Sequence, residues 1–416
     1  MKANGFELLV SNLLERCQTG NLVILTPDGR KKIFGGLSSF PKAQIIIKSS
    51  NFWNRCVFAG AIGFAESFIE GEWETPDLTS TIAFFILNSA ELDVFRKPKQ
   101  QKLTLLGIRQ IADNLFLKLR KNTPKMARRN IEEHYDLGND FFRHWLDLSM
   151  TYSCAFFDPP TLSLHEAQLR KYDRLCQKLL LTPKDHILEI GCGWGGFALY
   201  AAKKYGCKVT AITISPSQLN EARSRAQQEG LSNRVFFELR DYRDERGIYD
   251  KIISIEMIEA VGDEFLEDYF ETCSRCLKKN GLLALQMIVC PDRQYQILRS
   301  GADFIQKHIF PGSLLVAQHR ITKAIMQTSD FNLLDWEDLG PHYAETLRRW
   351  AENFNTAETE IRKLGFSEKF IRKWKYYLAY CEAAFSMRHI SVVQALYSRP
   401  NNLSLGFGPH KKFTLN

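Results

Sequence analysis

Residues 189–196 read EIGCGWGG and join the end of one apolar run, HILEI (186–190), to the start of a helical pattern, FALYAAKKYG (197–206). Gly191, Gly193 and Gly196 spell G-x-G-x-x-G. Such a loop lets the backbone approach a ligand closely, and the helix after it begins with unpaired N–H groups. Dinucleotide-binding loops use the same spacing, so the loop alone leaves its ligand open. The segments beyond the loop set the fold. KVTAITI (208–214), RVFFELR (234–240), YDKIISI (249–255) and GLLALQMI (281–288) read as strands, with helical patterns at PSQLNEARSRAQQEG (216–230) and FLEDYFETCSRCLKK (265–279) and a turn at Asn280-Gly281. Repeated strand–helix units require a mostly parallel, doubly wound α/β sheet with ligands at the carboxyl ends of its strands. FNLLDWEDL (331–339) and HISVVQALYSR (389–399) bring the expected strands to seven. The helical, aromatic-rich sequence before and between them is expected to be a lid inserted at the strand ends.

The positions of the acids decide between ligands. A nicotinamide-binding unit places a carboxylate at the end of its second strand, about 20 residues on, for the ribose diol. Here that place holds Thr213, Ile214 and Ser215. Glu189 instead stands two residues before the first glycine, and Asp241 comes just after the third strand. This arrangement is similar to that of S-adenosylmethionine (SAM) methyltransferases, whose cofactor presents an ammonium and a ribose diol and has no pyrophosphate.

The chain has 416 residues, enough for more than one domain at about 100–200 residues each. Hydrophobic residues make up 45% and charged residues 25%, which excludes a disordered chain, and no apolar window approaches a membrane span. The start, MKANGFELLVSNLLERC, lacks the pattern of a secretory signal, and ten cysteines without paired spacing suit a reducing compartment, so a cytoplasmic location is expected. Cys273 and Cys276 form a lone C-x-x-C within a helical pattern, and no metal is expected. The net charge of +8 is uneven: eleven basic residues stand between Arg96 and Arg129 against one acid, Asp113. Leu105, Ile108, Ala112, Leu115 and Leu119 lie at helical spacing in that stretch. A basic amphipathic helix favours lipid headgroups over a nucleic-acid groove; a linker helix with a solvated basic face accounts for it equally well. Residues 1–92 read as a small separate domain, with strand-like NLVILTP and AQIIIKSS, a turn at PDGR and glycine-rich punctuation beyond. Residues 93–129 read as a linker, and 130–416 as the catalytic domain.

From about residue 130 to 400 the chain resembles the cyclopropane-fatty-acid synthases and mycolic-acid cyclopropane synthases. The matching stretches include HYDLGNDFFRHWLD (134–147), MTYSC (150–154), LEIGCGWGG (188–196), TISPSQ (213–218), RDYRD (240–244), IEAVG (258–262), YAETLRRW (343–350) and YCEAAFSMR (380–388). The N-terminal residues resemble, more weakly, an accessory domain found in that family. The resemblance implies transfer of a methyl group from SAM to the cis double bond of an unsaturated acyl chain. The acceptor would be a phospholipid at the inner face of a membrane, and a cyclopropane would form through a carbocation. It assigns the cofactor to Tyr152, Ser153, Glu189, Gly191, Cys192, Gly193, Trp194, Gly195, Thr213, Ser215, Gln218, Asp241 and Tyr242. Cys154, Glu259, Gln286, Ile288 and Tyr343 match a bicarbonate site that supplies the base, and Cys381 matches an active cysteine. A homodimer is compatible with it.

Two positions depart from the family. Ala260 stands after Glu259 where better-known members have histidine, and Gln286 stands in a second histidine position. Glutamine hydrogen-bonds an anion but exchanges no proton near neutral pH. A methyl-branched or methylene-bearing chain is therefore an alternative product. N-methylation of a small amine, a membrane-surface module with a vestigial site, and a nicotinamide oxidoreductase are the other readings.

Overall fold

The computed structural model describes residues 5–36, 40–92 and 137–405, with 122–124, 126, 127 and 129 of the connecting stretch. The basic amphipathic helix expected over 105–119 lies outside the described residues, as do His134, Tyr135 and Asp136 of the first matching motif. The chain divides into two compact units: the described parts of Met1–Leu119 with Ser300–Ile309 and Leu347–His389, and those of Arg120–Arg299 with Phe310–Thr346 and Ile390–Asn416. Much of the expected lid thus groups with the N-terminal residues, and not with residues 130–416 as a whole.

In the first unit, β1 (Asn21–Leu25) pairs antiparallel with β2 (Lys31–Gly35) across the PDGR turn and parallel with β3 (Lys42–Ile47). β3 in turn pairs with the short β4 (Trp73–Glu74), and alternate burial along β1 and β3 marks one covered face. Helices α1 (Gly5–Leu14), α2 (Asn51–Ile69) and α3 (Leu78–Leu87) complete this part. The stretch read as glycine-rich punctuation is largely helical. It belongs to α2, interrupted at Gly60, where φ is 53°. The helix Glu368–Ser386 joins this unit because its apolar side needs cover: Tyr376 packs on Phe64 and Phe68, and Arg372 Nε donates to the Phe68 carbonyl at 2.6 Å.

The second unit holds the seven-stranded sheet. Its strands are β5 (His186–Ile190), β6 (Lys208–Thr213), β7 (Val235–Leu239), β8 (Tyr249–Ile255), β9 (Leu277–Val289), β10 (Asn332–Asp338) and β11 (Ser391–Ser398), in the order β10-β11-β9-β8-β5-β6-β7. Only β11 runs against its neighbours. Helices α4 (Leu164–Lys178), α5 (Gly196–Tyr205), α6 (Pro216–Gln228) and α7 (Leu266–Cys276) cover it. Successive strand residues face opposite layers: Ile187, Val209, Ala211 and Ala284 enter one buried cluster, Leu188, Ile212, Leu283 and Leu285 the other. Both faces being covered explains the nearly continuous apolar strands. Asn280-Gly281 forms no free turn; it lies inside β9, which begins at Leu277 and shifts register against β8.

The chain runs β5, β6, β7 to one side and then returns to β8 and β9 on the other. The carboxyl ends of β5 and β8 therefore flank the point where strand order reverses, which is where such sheets bind ligands.

Candidate active site

The glycine loop leaves β5 at this switch point. Gly191 has φ 81°, and a Cβ there would lie 2.5 Å from Met257 Cγ, so conformation and space both demand glycine. Gly193, also left-handed at φ 53°, faces open space. Glu189, at the end of β5, is buried with no hydrogen-bond partner for Oε2. Burial raises its pKa to about 8, against which the nearby Lys171 charge pulls. A cation brought to Glu189 would restore its ionised form. That unpartnered oxygen, beside an open glycine loop, fits the cationic SAM.

The other expected cofactor residues surround the strand ends. Thr213 Oγ1 donates to Gln218 Oε1 at 3.0 Å, and Ser215 caps α6 by accepting from the Gln218 N–H at 3.3 Å. Trp194 Nε1 donates to Asn139 Oδ1 at 2.8 Å, and Cys192 is buried. Tyr152 packs on Phe142, Trp145 and Phe310. α4, fixed by a Ser163–Glu166 capping box, holds the next residue: Gln168 Nε2 donates to the Ser153 carbonyl and Lys171 Nζ to Ser153 Oγ, at 2.8 and 2.7 Å. Asp241 is clasped by Arg243, whose Nε and Nη2 lie 2.8 and 2.7 Å from its two oxygens. The buried Tyr242 hydroxyl has no partner.

Beside this lies a second constellation, and its centre is a residue that no motif singled out. Glu256 comes directly after β8, with φ 50°. This left-handed backbone costs a side-chain-bearing residue roughly 1–2 kcal/mol. Its N–H donates to the Gln286 carbonyl on β9 at 2.7 Å. Its carboxylate accepts three hydrogen bonds: from the Cys154 backbone N–H to Oε1 at 2.8 Å, from Gln286 Nε2 to Oε1 at 2.8 Å, and from the Tyr343 hydroxyl to Oε2 at 2.6 Å. Gln286 is held in that orientation, since its Oε1 accepts from Gln394 Nε2 on β11 at 3.0 Å. Burial raises the Glu256 pKa, while Tyr343, Gln286, the Cys154 N–H and the Lys171 charge favour its ionised form.

Glu259 occupies a short turn after Glu256 and accepts from the Ile288 N–H, leaving a buried Oε2 without a partner. Burial, then the Glu256 charge, raise its pKa to about 8, so at neutral pH it is mainly a neutral acid. The structure thus brings Cys154, Glu259, Gln286, Ile288 and Tyr343 together, but not as a vacant anion site. The donors of Cys154, Gln286 and Tyr343 are engaged by Glu256, so the arrangement does not fit bicarbonate. Cys154 takes part through its backbone; its buried thiol is pushed well above the usual cysteine range and points to carbonyls of Ala155 and Leu339. Cys381 belongs to the first unit, on the helix Glu368–Ser386, with its thiol also raised by burial. Neither has the depressed pKa of a nucleophilic cysteine. Phe370 and Trp374, in the aromatic-rich sequence expected to form the lid, stack on each other in the first unit.

Residues 122–395 match the family model described as mycolic acid cyclopropane synthetase. The tuberculostearic acid methyltransferase UfaA1 of Mycobacterium tuberculosis is 38% identical over 342 residues, covering 80% of this chain and 78% of that protein. The cyclopropane-fatty-acyl-phospholipid synthase of Escherichia coli K12 is 35% identical over 357 residues, covering 86% and 88%. Among solved structures, the cyclopropane synthase MmaA2 from Mycobacterium tuberculosis matches with a TM-score of 0.62 at 30% identity, over 65% of this chain and 98% of that one. Mycolic acid cyclopropane synthase CmaA1, complexed with S-adenosylhomocysteine and CTAB, matches with a TM-score of 0.62 at 29% identity and the same coverage.

Proposed function

We propose a specific reaction for this chain, which belongs to the mycolic acid cyclopropane synthetase family and is a SAM-dependent methyltransferase: it methylates the cis double bond of an unsaturated acyl chain in a membrane phospholipid and closes a cyclopropane ring. The observation that supports this is the Glu256–Gln286–Tyr343–Cys154 cluster at the ends of β8 and β9, next to the glycine loop on β5. An alkene has no proton to remove before it attacks, so the site must align the reactants and exclude water. SAM supplies an electrophilic methyl group. The alkene π pair forms the new C–C bond as the S–C bond breaks, and positive charge is left on the neighbouring alkene carbon. Loss of one proton from the added carbon, its C–H pair closing on the cationic carbon, gives the ring.

The acceptor is presented at the inner face of the membrane by peripheral binding, for which the basic residues of 96–129 suit anionic headgroups. Among the described residues no helix is long and apolar enough to cross a membrane. Incubation with labelled SAM and vesicles of oleoyl phospholipid is expected to place label in the lipid. Unlabelled lipid across several unsaturated phospholipids would sink the proposal, and label on a soluble amine would move the acceptor.

A second reading, a methylene or methyl-branched chain, is favoured by Gln286, which is locked between Glu256 and Gln394 and relays no proton. The relative named tuberculostearic acid methyltransferase is consistent with it. A saturated branch needs a hydride donor in addition.

A further inference from the structure

Glu256 takes three hydrogen bonds from the groups matched to a bicarbonate site, and it does so from a left-handed backbone that glycine would adopt without strain. We propose that Glu256 is the catalytic base, a carboxylate built into the chain in place of a dissolved anion, and that it removes the proton from the transferred carbon. This rests on the methyl-transfer reading above and adds a catalytic residue to it. The two oxygens are unequal. Oε1 accepts from the Cys154 N–H and from Gln286, whereas Oε2 accepts from Tyr343 alone. A carboxylate oxygen has two lone-pair sites, so Oε2 keeps one for a proton.

The step balances without a further reagent. A C–H bond of the transferred carbon breaks, its electron pair forms the bond that quenches the cation, and the proton goes to Glu256 Oε2. The carboxylate becomes a neutral acid and no electron is gained or lost. Tyr343 suits this exchange, because a hydroxyl that donates to the carboxylate can turn and accept from the acid. Lys171, buried and bonded to Ser153 Oγ, adds a positive charge that favours the ionised form beforehand. Glu259, held neutral at pH 7, does not compete for the same proton.

The alternative is a purely structural clamp joining the Cys154 backbone to β9 and Tyr343. The full-length chain, with Glu256→Gly and Glu256→Gln variants, separates the two when labelled SAM and oleoyl vesicles are supplied in CO2-stripped buffer and again with added bicarbonate. Wild-type turnover is expected to be the same in both buffers. Glu256→Gly, whose backbone conformation glycine accepts, is expected to lose on the order of 10²–10⁴-fold in stripped buffer. It should recover part of that with bicarbonate or formate, while Glu256→Gln, with the space filled by an amide, should not. Both variants are expected to bind SAM in calorimetry. Wild-type protein that stalls without bicarbonate overturns the base assignment alone, as does a Glu256→Gly variant as active as wild type in stripped buffer. Wild-type protein that labels no lipid in either buffer overturns the methyl-transfer reading and the base with it.

Discussion

Replacing Glu189 by glutamine tests the cofactor side of the site through two linked quantities. In the folded protein burial raises this carboxyl to about 8, against an ordinary value of 4.5. Between those values the folded chain keeps a proton that the unfolded chain has released. The resulting stability is complete below pH 4.5 and is lost as the pH climbs to about 8. At ~1.36 kcal/mol per pH unit, the loss across that window is of order 5 kcal/mol. Glu259 has a second slope of the same sign, so Glu189→Gln should remove one of two. Denaturant unfolding at pH 5 and pH 8 should show the variant losing several kcal/mol less than wild type between the two. With SAM assigned to Glu189 as proposed, its cation meets the ionised carboxylate, and its binding at pH 7 should release about 0.9 of a proton. Calorimetry in buffers of different ionisation enthalpy reads that number, and Glu189→Gln should bind SAM more weakly with no such release. Identical pH dependence of stability in both proteins, or equal proton release, would refute the reasoning.

Gly191→Ala forces a side chain onto a φ of 81° and to within 2.5 Å of Met257 Cγ. It should cost roughly 2–4 kcal/mol in denaturant unfolding, and a cost near zero would mean that the loop is free to move away. Glu259→Gln preserves an acceptor for the Ile288 N–H but removes the exchangeable proton. Because Glu256 is the proposed base and Glu259 is neutral at pH 7, the variant is expected to keep most turnover and its SAM affinity at that pH, and a large loss of turnover with SAM binding intact would place Glu259 on the proton path instead. Gln286→His gives up the amide that joins Glu256 to Gln394. It should lower stability by about 1–3 kcal/mol and reduce turnover; unchanged stability with faster turnover would contradict the role of Gln286 as the clamp on Glu256.

The sheet was legible because β5 through β9 carry their own signals: apolar runs too short for helices, separated by helical patterns, with a glycine loop at the first junction. Grouping in space was less legible. The helix Glu368–Ser386 shows an apolar side, but periodicity does not say what covers it, and it joins Phe64 and Phe68 of the first unit. The candidate site was marked at Glu189 by its place before the glycine loop, and at Glu259 and Tyr343 by the family resemblance alone. It was hidden where the backbone does the work: Cys154 draws attention by its thiol yet reaches Glu256 through its N–H. Glu256 itself left one signal, an acid directly after an apolar parallel strand at the point where strand order reverses. Asp241 stood out as a lone acid, but the bidentate grip of Arg243 two residues later depends on a turn that spacing does not reveal.

Ring formation is tested most directly by the chemistry of the lipid itself: mass spectrometry and proton NMR of oleoyl phospholipid recovered after incubation with the protein and SAM. The expected result is a gain of one CH₂ per acyl chain, loss of the olefinic protons and appearance of cyclopropane ring protons. The same mass gain with exocyclic methylene protons would contradict ring closure, and lipid unchanged in mass with its olefinic protons intact would contradict methyl transfer to the double bond.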